Sequence, residues 1–157
     1  MSRLDVFINR MVSQRACIDF AAQNTAGMTG PVFELGLGNG RTYDHMREIL
    51  ERRIWVIDRV LQCHPSCVPP KADFLEGEAE AMLDKLAETG AQIVLAHYDF
   101  GFGVKEKDVA EAARLSPAIA RIMVSGGIIV SGQPLVGFTE LDGPDTIAKD
   151  RYYFYSS

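Results

Sequence analysis

The chain has 157 residues, 47% of them hydrophobic and 24% charged, with a formal net charge of −5 at pH 7. That length suits one domain burying roughly two-thirds of its unfolded surface around a single core, no run approaches the ~20 apolar residues of a membrane span, and the acidic balance argues against nucleic acid, whose phosphates call for a concentrated basic face. The amino terminus MSRLDVFINRM lacks the apolar stretch and small-residue cleavage site of a secretory leader, and three cysteines, Cys17, Cys63 and Cys67, are too few and odd in number for a disulfide framework. A reducing cytoplasm is therefore the expected compartment.

In chain order, Leu4, Phe7, Ile8, Met11, Arg15 and Ile18 recur at i, i+3, i+4 with one polar interruption, which predicts an amphipathic helix from Leu4 to Gln23. Asp5 favours its amino end, Asn24 to Gly30 breaks it, and Pro31 launches a first strand. That strand runs into FELGLGNG, Phe33 to Gly40, where an acid closes a short apolar run directly before G-x-G-x-G. Gly36 and Gly38 permit a tight turn and close backbone approach, and a helix opening near Gly40 or Arg41 offers unpaired N–H groups at its positive end. Tyr43, Met46, Ile49 and Leu50 give that helix its apolar face. IWVID, Ile54 to Asp58, is a second strand whose terminal acid, about twenty residues past the glycines, is placed to accept from ribose hydroxyls.

The sequence Cys63-His64-Pro65-Ser66-Cys67 reads as a surface loop ending at Pro69-Pro70 rather than a zinc site, which wants four ligands, so no metal is expected. ADFLEGEAEAMLDKL, Ala72 to Leu86, gives a short third strand ending near Glu76 and Gly77, then a helix with the face Ala79, Met82, Leu83 and Leu86, stopped by Thr89-Gly90. Gln92 to Phe100 is a fourth strand; its period of two puts His97 and Asp99 on one side and Tyr98 on the other. Ser116-Pro117 reads as an N-cap and a proline at a first helical position, so the fourth helix is expected to restart there, with Gly126-Gly127 ending it before a fifth strand. Asp142 to Asp145, DGPD, reads as a turn and RYYFYSS as a terminal strand antiparallel to the fifth. Strands and helices alternate, which predicts an α/β fold: a Rossmann-like, doubly wound, mainly parallel sheet with helices on both faces and a C-terminal antiparallel strand.

The dinucleotide fingerprint G-x-G-x-x-G needs a glycine at position 41, where Arg41 would crowd the helix approach of a pyrophosphate site. Glu34, at a strand tip, suits the ammonium of a methionine moiety, so the wording favours S-adenosylmethionine. FELGLGNG, Asp58 and LEGEA together resemble motif I, the acidic second-strand tip and the third-strand adenine site of class I S-adenosylmethionine-dependent methyltransferases. KDVAEAARLSPAIARIMVSGG followed by IIVSGQPL resembles that family's fourth helix, glycine turn and fifth strand, and the resemblance, closest to small bacterial members of unassigned substrate, spans roughly Pro31 to Leu135. It implies cofactor contacts at Glu34, Gly36, Leu37, Gly38, Asn39, Gly40, Thr42, Asp58, Arg59, Gly77, Glu78, Ala79 and His97. It also implies one cofactor-binding domain over 1–157, with an N-terminal helix in 1–30, a core in 31–135 and a reduced C-terminal hairpin in 136–157.

Methyl transfer is an in-line displacement at a carbon activated by a sulfonium leaving group, so the protein must orient a nucleophile and often supplies one base. Asp99 or His97 is the candidate base and Tyr98 a candidate wall of the methyl site. Equally, a strand-tip carboxylate can cap a loop and a histidine in a buried strand can be a satisfied core residue. The lack of an asparagine-proline-proline-tyrosine signature and the lack of an acidic cluster on the fourth strand disfavour base- or glutamine-modifying and metal-dependent catechol-type members, and the roughly twenty residues after Val136 are expected to hold no substrate domain. A small-molecule acceptor is expected, in a pocket roofed by the first helix or a neighbouring subunit, hence a homo-oligomer. The alternatives are a non-catalytic S-adenosylmethionine-binding or regulatory module and an NAD-dependent oxidoreductase.

Overall fold

The computed structural model describes residues 1–157. Helix α1 (Arg3–Asn24) precedes strand β1 (Val32–Leu35), helix α2 (Arg41–Ile49) and strand β2 (Ile54–Asp58). Then come β3 (Phe74–Glu76), α3 (Ala79–Glu88), β4 (Ile93–Tyr98), α4 (Lys105–Ile122), β5 (Met123–Ser131), β6 (Thr139–Leu141) and β7 (Tyr153–Ser156). The sheet order is β3-β2-β1-β4-β5-β7-β6. Strands β1 to β5 pair in parallel, and β7 runs antiparallel to both β5 and β6. The chain winds outward from β1 to β3 and then, from β4, outward in the other direction. A crevice for a ligand therefore opens beyond the carboxyl ends of β1 and β4, where the order reverses.

Helices cover both faces, so β1 and β4 are buried along their whole length and are apolar except for Glu34 and His97. On one face Cys17, Ile18 and Ala21 of α1 and Tyr43 and Met46 of α2 pack on Val32, Val56, Leu95 and Val130. On the other, Met82, Leu83 and Leu86 of α3 and Leu115, Ile119 and Ile122 of α4 pack on Phe33, Leu35, Ile57 and Ala96. The face predicted for α3, Ala79, Met82, Leu83 and Leu86, is the buried one.

Several elements depart from the sequence reading. The helix predicted to restart at Ser116 is continuous: the Ser116 hydroxyl donates to the Ala112 carbonyl at 2.7 Å and accepts from the Val136 N–H at 3.0 Å, so it bonds inside the helix instead of capping one. Gly126-Gly127 lies within β5 rather than before it; β5 advances from Met123 to Ile128 while β4 advances only from Ile93 to Leu95, and Gly126 takes the positive φ that this bulge needs. The β2–β3 connection holds two short 3-10 turns, Pro65–Cys67 and Lys71–Asp73, and no α-helix, because Pro65, Pro69 and Pro70 remove donors and disfavour helix before them. Strand β6 carried no alternating apolar signal, its three residues being exposed, and DGPD belongs to the long β6–β7 loop. Helix α1 opens on a capping box between Ser2 and Asp5, but its buried residues are Ser13, Gln14, Cys17, Ile18 and Ala21, while Leu4, Phe7 and Ile8 stay largely exposed. Only the second half of α1 packs on the sheet.

Candidate active site

The three glycines of the β1–α2 turn have three separate reasons. A Cβ on Gly36 would stand 2.6 Å from the Asp99 carbonyl oxygen, so bareness there lets the β1 and β4 tips meet. A Cβ on Gly40 would stand 2.5 Å from Cβ of Cys67 and 3.3 Å from Cβ of Cys63, so the Cys63–Cys67 loop packs onto the turn instead of hanging free at the surface. Gly38, with φ of +51°, meets nothing within 4 Å, and it borders a cavity of about 230 Å³ enclosed by Gly36 to Thr42, Asp99 and the α1 residues Phe7, Arg10, Met11 and Gln14. No side chain caps α2, so the N–H groups of its first turn remain available to a carboxylate. These observations fit a nucleoside-bearing amino acid: a bare backbone, an uncapped helix start and a roof supplied by α1.

Asp58 ends β2 beside this turn. Its Oδ2 accepts from the Gly38 N–H at 3.0 Å and its Oδ1 from the Arg59 N–H at 2.7 Å. The Gly77 N–H donates to the Asp58 carbonyl at 2.9 Å, drawing the tip of β3 toward it. Glu78 is exposed immediately before α3, Ala79 is buried, and the Arg59 guanidinium lies 5.6 Å from the Phe102 ring centroid. The fold thus gathers Gly36, Gly38, Asn39, Gly40, Asp58, Arg59, Gly77 and Glu78 along one rim, whereas the Leu37 side chain turns into the core.

Below the rim runs a buried polar chain. Thr42 Oγ1 donates to Glu34 Oε1 at 2.7 Å, and His97 Nδ1 donates to both oxygens of Glu34 at 3.0 and 3.1 Å. His97 Nε2 lies 2.8 Å from the Tyr152 hydroxyl. Glu34 and His97 are both 0% exposed. Burial alone would lower the His97 pKa, but the adjacent carboxylate outweighs it and raises it; burial raises Glu34 against the opposing pull of His97 and Thr42. Both groups therefore hold their protons to higher pH than their ordinary values would allow.

The three residues expected at the β4 tip have separate fates. Tyr98 is 1% exposed on the α3–α4 face, its ring edge-on to Phe100 and its hydroxyl without a hydrogen-bond partner. His97 is an internal link and touches no cavity surface. Asp99 alone emerges: its Oδ2 accepts from Gln14 Nε2 at 2.7 Å and its Oδ1 from Arg10 Nη2 at 3.2 Å. Asp99 and Arg10 border both the glycine-turn cavity and a second cavity of about 470 Å³, walled by Ser13, Phe100, Gly132, Gln133 and Tyr152 among others. Arg10, Gln14 and Tyr152 were missed. The signal for Gln14 was its place, three residues after Met11 and four before Ile18, on an otherwise apolar stripe; Tyr152, 55 residues from His97, gave none.

A family model described as S-adenosyl-L-methionine methyltransferase matches residues 1–157. The chain belongs to that family, and its cofactor is S-adenosyl-L-methionine. It is similar to an S-adenosyl-L-methionine methyl transferase from Silicibacter pomeroyi, with 41% identity, 99% of this chain and 98% of that chain covered, and a TM-score of 0.93. Its fold also resembles CalS11, a TDP-rhamnose 3′-O-methyltransferase of calicheamicin biosynthesis (18% identity, coverage 98% and 83%, TM-score 0.64). Human methyltransferase-like protein 13 in complex with S-adenosylhomocysteine is likewise similar in fold (10% identity, coverage 94% and 79%, TM-score 0.53). Among curated proteins, none matches the sequence. No helix is long and apolar enough to cross a membrane.

Proposed function

We propose that this enzyme methylates a small molecule held against Asp99, as one domain over residues 1–157. The observation that carries the reading is that the glycine-turn cavity and the larger one share Arg10 and Asp99, so a group bound in either meets the same carboxylate. When bound, the cofactor supplies a methyl group on a sulfonium leaving group. Gly36 to Thr42 and the start of α2 hold its amino-acid end, Asp58 accepts from its ribose hydroxyls, and Gly77 to Ala79 with Arg59 flank its base. Glu34, with both oxygens already bonded, positions this site through Thr42. Asp99 takes the proton from the acceptor's nucleophilic atom, while Gln14 and Arg10 hold the carboxylate in place. His97 and Tyr152 support that arrangement from below. The exposed Leu4, Val6, Phe7 and Ile8 on α1 support association with a second copy, and three free cysteines suit a cytoplasmic setting.

Calorimetry with S-adenosylmethionine, S-adenosylhomocysteine and NAD in parallel tests the cofactor half; binding of the two sulfur nucleosides but not NAD is expected. Acceptor-dependent release of S-adenosylhomocysteine across a panel of oxygen, nitrogen and sulfur nucleophiles tests the rest. Cofactor binding without methyl transfer to any of them would favour a non-catalytic binding module.

A further inference from the structure

The charge inside the larger cavity runs against the charge of the chain. The protein carries a net −5, yet this cavity is lined by three cations, Arg10, Lys105 and Arg151, and by two carboxylates, Asp99 and Asp108. Both carboxylates are already answered. Asp99 accepts from Gln14 and Arg10. Asp108, 5% exposed, accepts from the N–H groups of Phe102 and Gly103, at 2.5 Å for Phe102 and 3.2 Å for Gly103. That contact also removes the backbone donors with which a glycine-rich loop would otherwise cradle an anion. Lys105 and Arg151 belong to none of the ion pairs in the fold. Two unpaired cations thus approach one recess from separate elements, the start of α4 and the turn before β7, with Phe100 and Tyr152 the only aromatic or aliphatic walls.

Resting on the methyl-transfer reading above, we propose that the acceptor is a small oxyanion-bearing molecule, a carboxylate or phosphate, gripped by Lys105 and Arg151 while its nucleophilic atom lies at Asp99. The polarity of the walls excludes a purely apolar acceptor, because binding one would strip water from Lys105, Arg151 and Gln133 without replacing their hydrogen bonds. The charge separation is functional as well. Lys105 and Arg151 fix the anionic end away from the carboxylate that takes the proton, so the acceptor's charge does not face Asp99.

The test uses the protein saturated with S-adenosylhomocysteine, whose affinity is measured first. Inorganic phosphate and acetate are then titrated at low ionic strength while side-chain Arg Nε–H resonances are followed by NMR, in wild type, in Lys105→Gln/Arg151→Gln and in Arg151→Lys. Saturable shifts are expected in wild type, with affinity about tenfold or more weaker in the double variant and largely kept in Arg151→Lys. Tighter phosphate than acetate would identify a phosphate acceptor, and the reverse a carboxylate. Intact S-adenosylhomocysteine binding with no saturable anion effect, or with equal affinity in the double variant, overturns the anionic acceptor alone. Failure to bind S-adenosylhomocysteine overturns the methyl-transfer reading itself.

Discussion

The rim made by the tips of β1, β2 and β3 and the rim made by β4, β5 and the approach to β7 are assembled differently. In the first, polar atoms meet within short chain distances or through backbone groups: the Asp58 carboxylate accepts from Gly38 and Arg59 N–H groups, and Gly77 donates to the Asp58 carbonyl. In the second, the side-chain bonds to Asp99 and His97 join residues far apart in the sequence. Arg10 and Asp99 are 89 residues apart, Gln14 and Asp99 are 85 apart, and His97 and Tyr152 are 55 apart. On the reading proposed above, the cofactor is held by a compact local motif, whereas the acceptor side is drawn from α1, α4 and the C-terminal turn, of which α1 also roofs the glycine-turn cavity. The Glu34–His97 pair joins the two, with one member on β1 and the other on β4.

The sharpest way to break this division is Asp99→Asn. Turnover should fall by roughly a hundred- to ten-thousandfold, the span of general-base contributions, with S-adenosylhomocysteine affinity unchanged. Turnover equal to wild type would remove Asp99 from that role. Asp58→Ala should do the converse, weakening S-adenosylhomocysteine about ten- to a hundredfold by calorimetry through loss of charge-assisted hydrogen bonds. An unaltered affinity would show that the first rim is not where the nucleoside sits.

The smallest effect tests the link between the rims. The folded pKa values of Glu34 and His97 both lie above their ordinary 4.5 and 6.5, so the folded chain holds protons that the unfolded chain releases. Their contribution to stability is therefore greatest at low pH, and it declines as pH rises past 4.5 and 6.5 and then through the raised folded values. Asp99, Arg10 and Tyr152 also face the pair, so the measurement is a difference: urea unfolding of wild type and Glu34→Gln across that range. The wild-type-minus-variant free energy should fall as pH rises. A pH-independent difference would show that the pair does not hold the extra proton.

The first rim was legible because its signals are local. Gly36, Gly38 and Gly40 announced a turn, Asp58 announced a strand tip, and Ala79, Met82, Leu83 and Leu86 a buried helix face; α2 begins at Arg41 and β2 spans the expected residues. Period two also separated Asp99 and His97 from Tyr98. It could not say that His97 stops short of the surface, since alternation gives a side chain's face and not its depth. Nor did the apolar stripe of α1 reveal that Phe7 overhangs a cavity while Gln14 is buried, because the turn of helix that meets the sheet depends on where the helix sits.

By itself, then, the sequence determined the alternating α/β fold and its glycine turn, which follow from periodicity and from residue types fixed by backbone geometry, and it pointed to the family through the resemblance carried by FELGLGNG, Asp58 and LEGEA. Only the tertiary structure decided that Gly36 meets Asp99 and Gly40 meets Cys67, while Gly38 stands clear of both. It alone brought Tyr152 to His97, and gathered Arg10, Lys105 and Arg151 around one recess. Those placements depend on chain segments folding together from opposite ends of the molecule, and no short-range pattern records such distances.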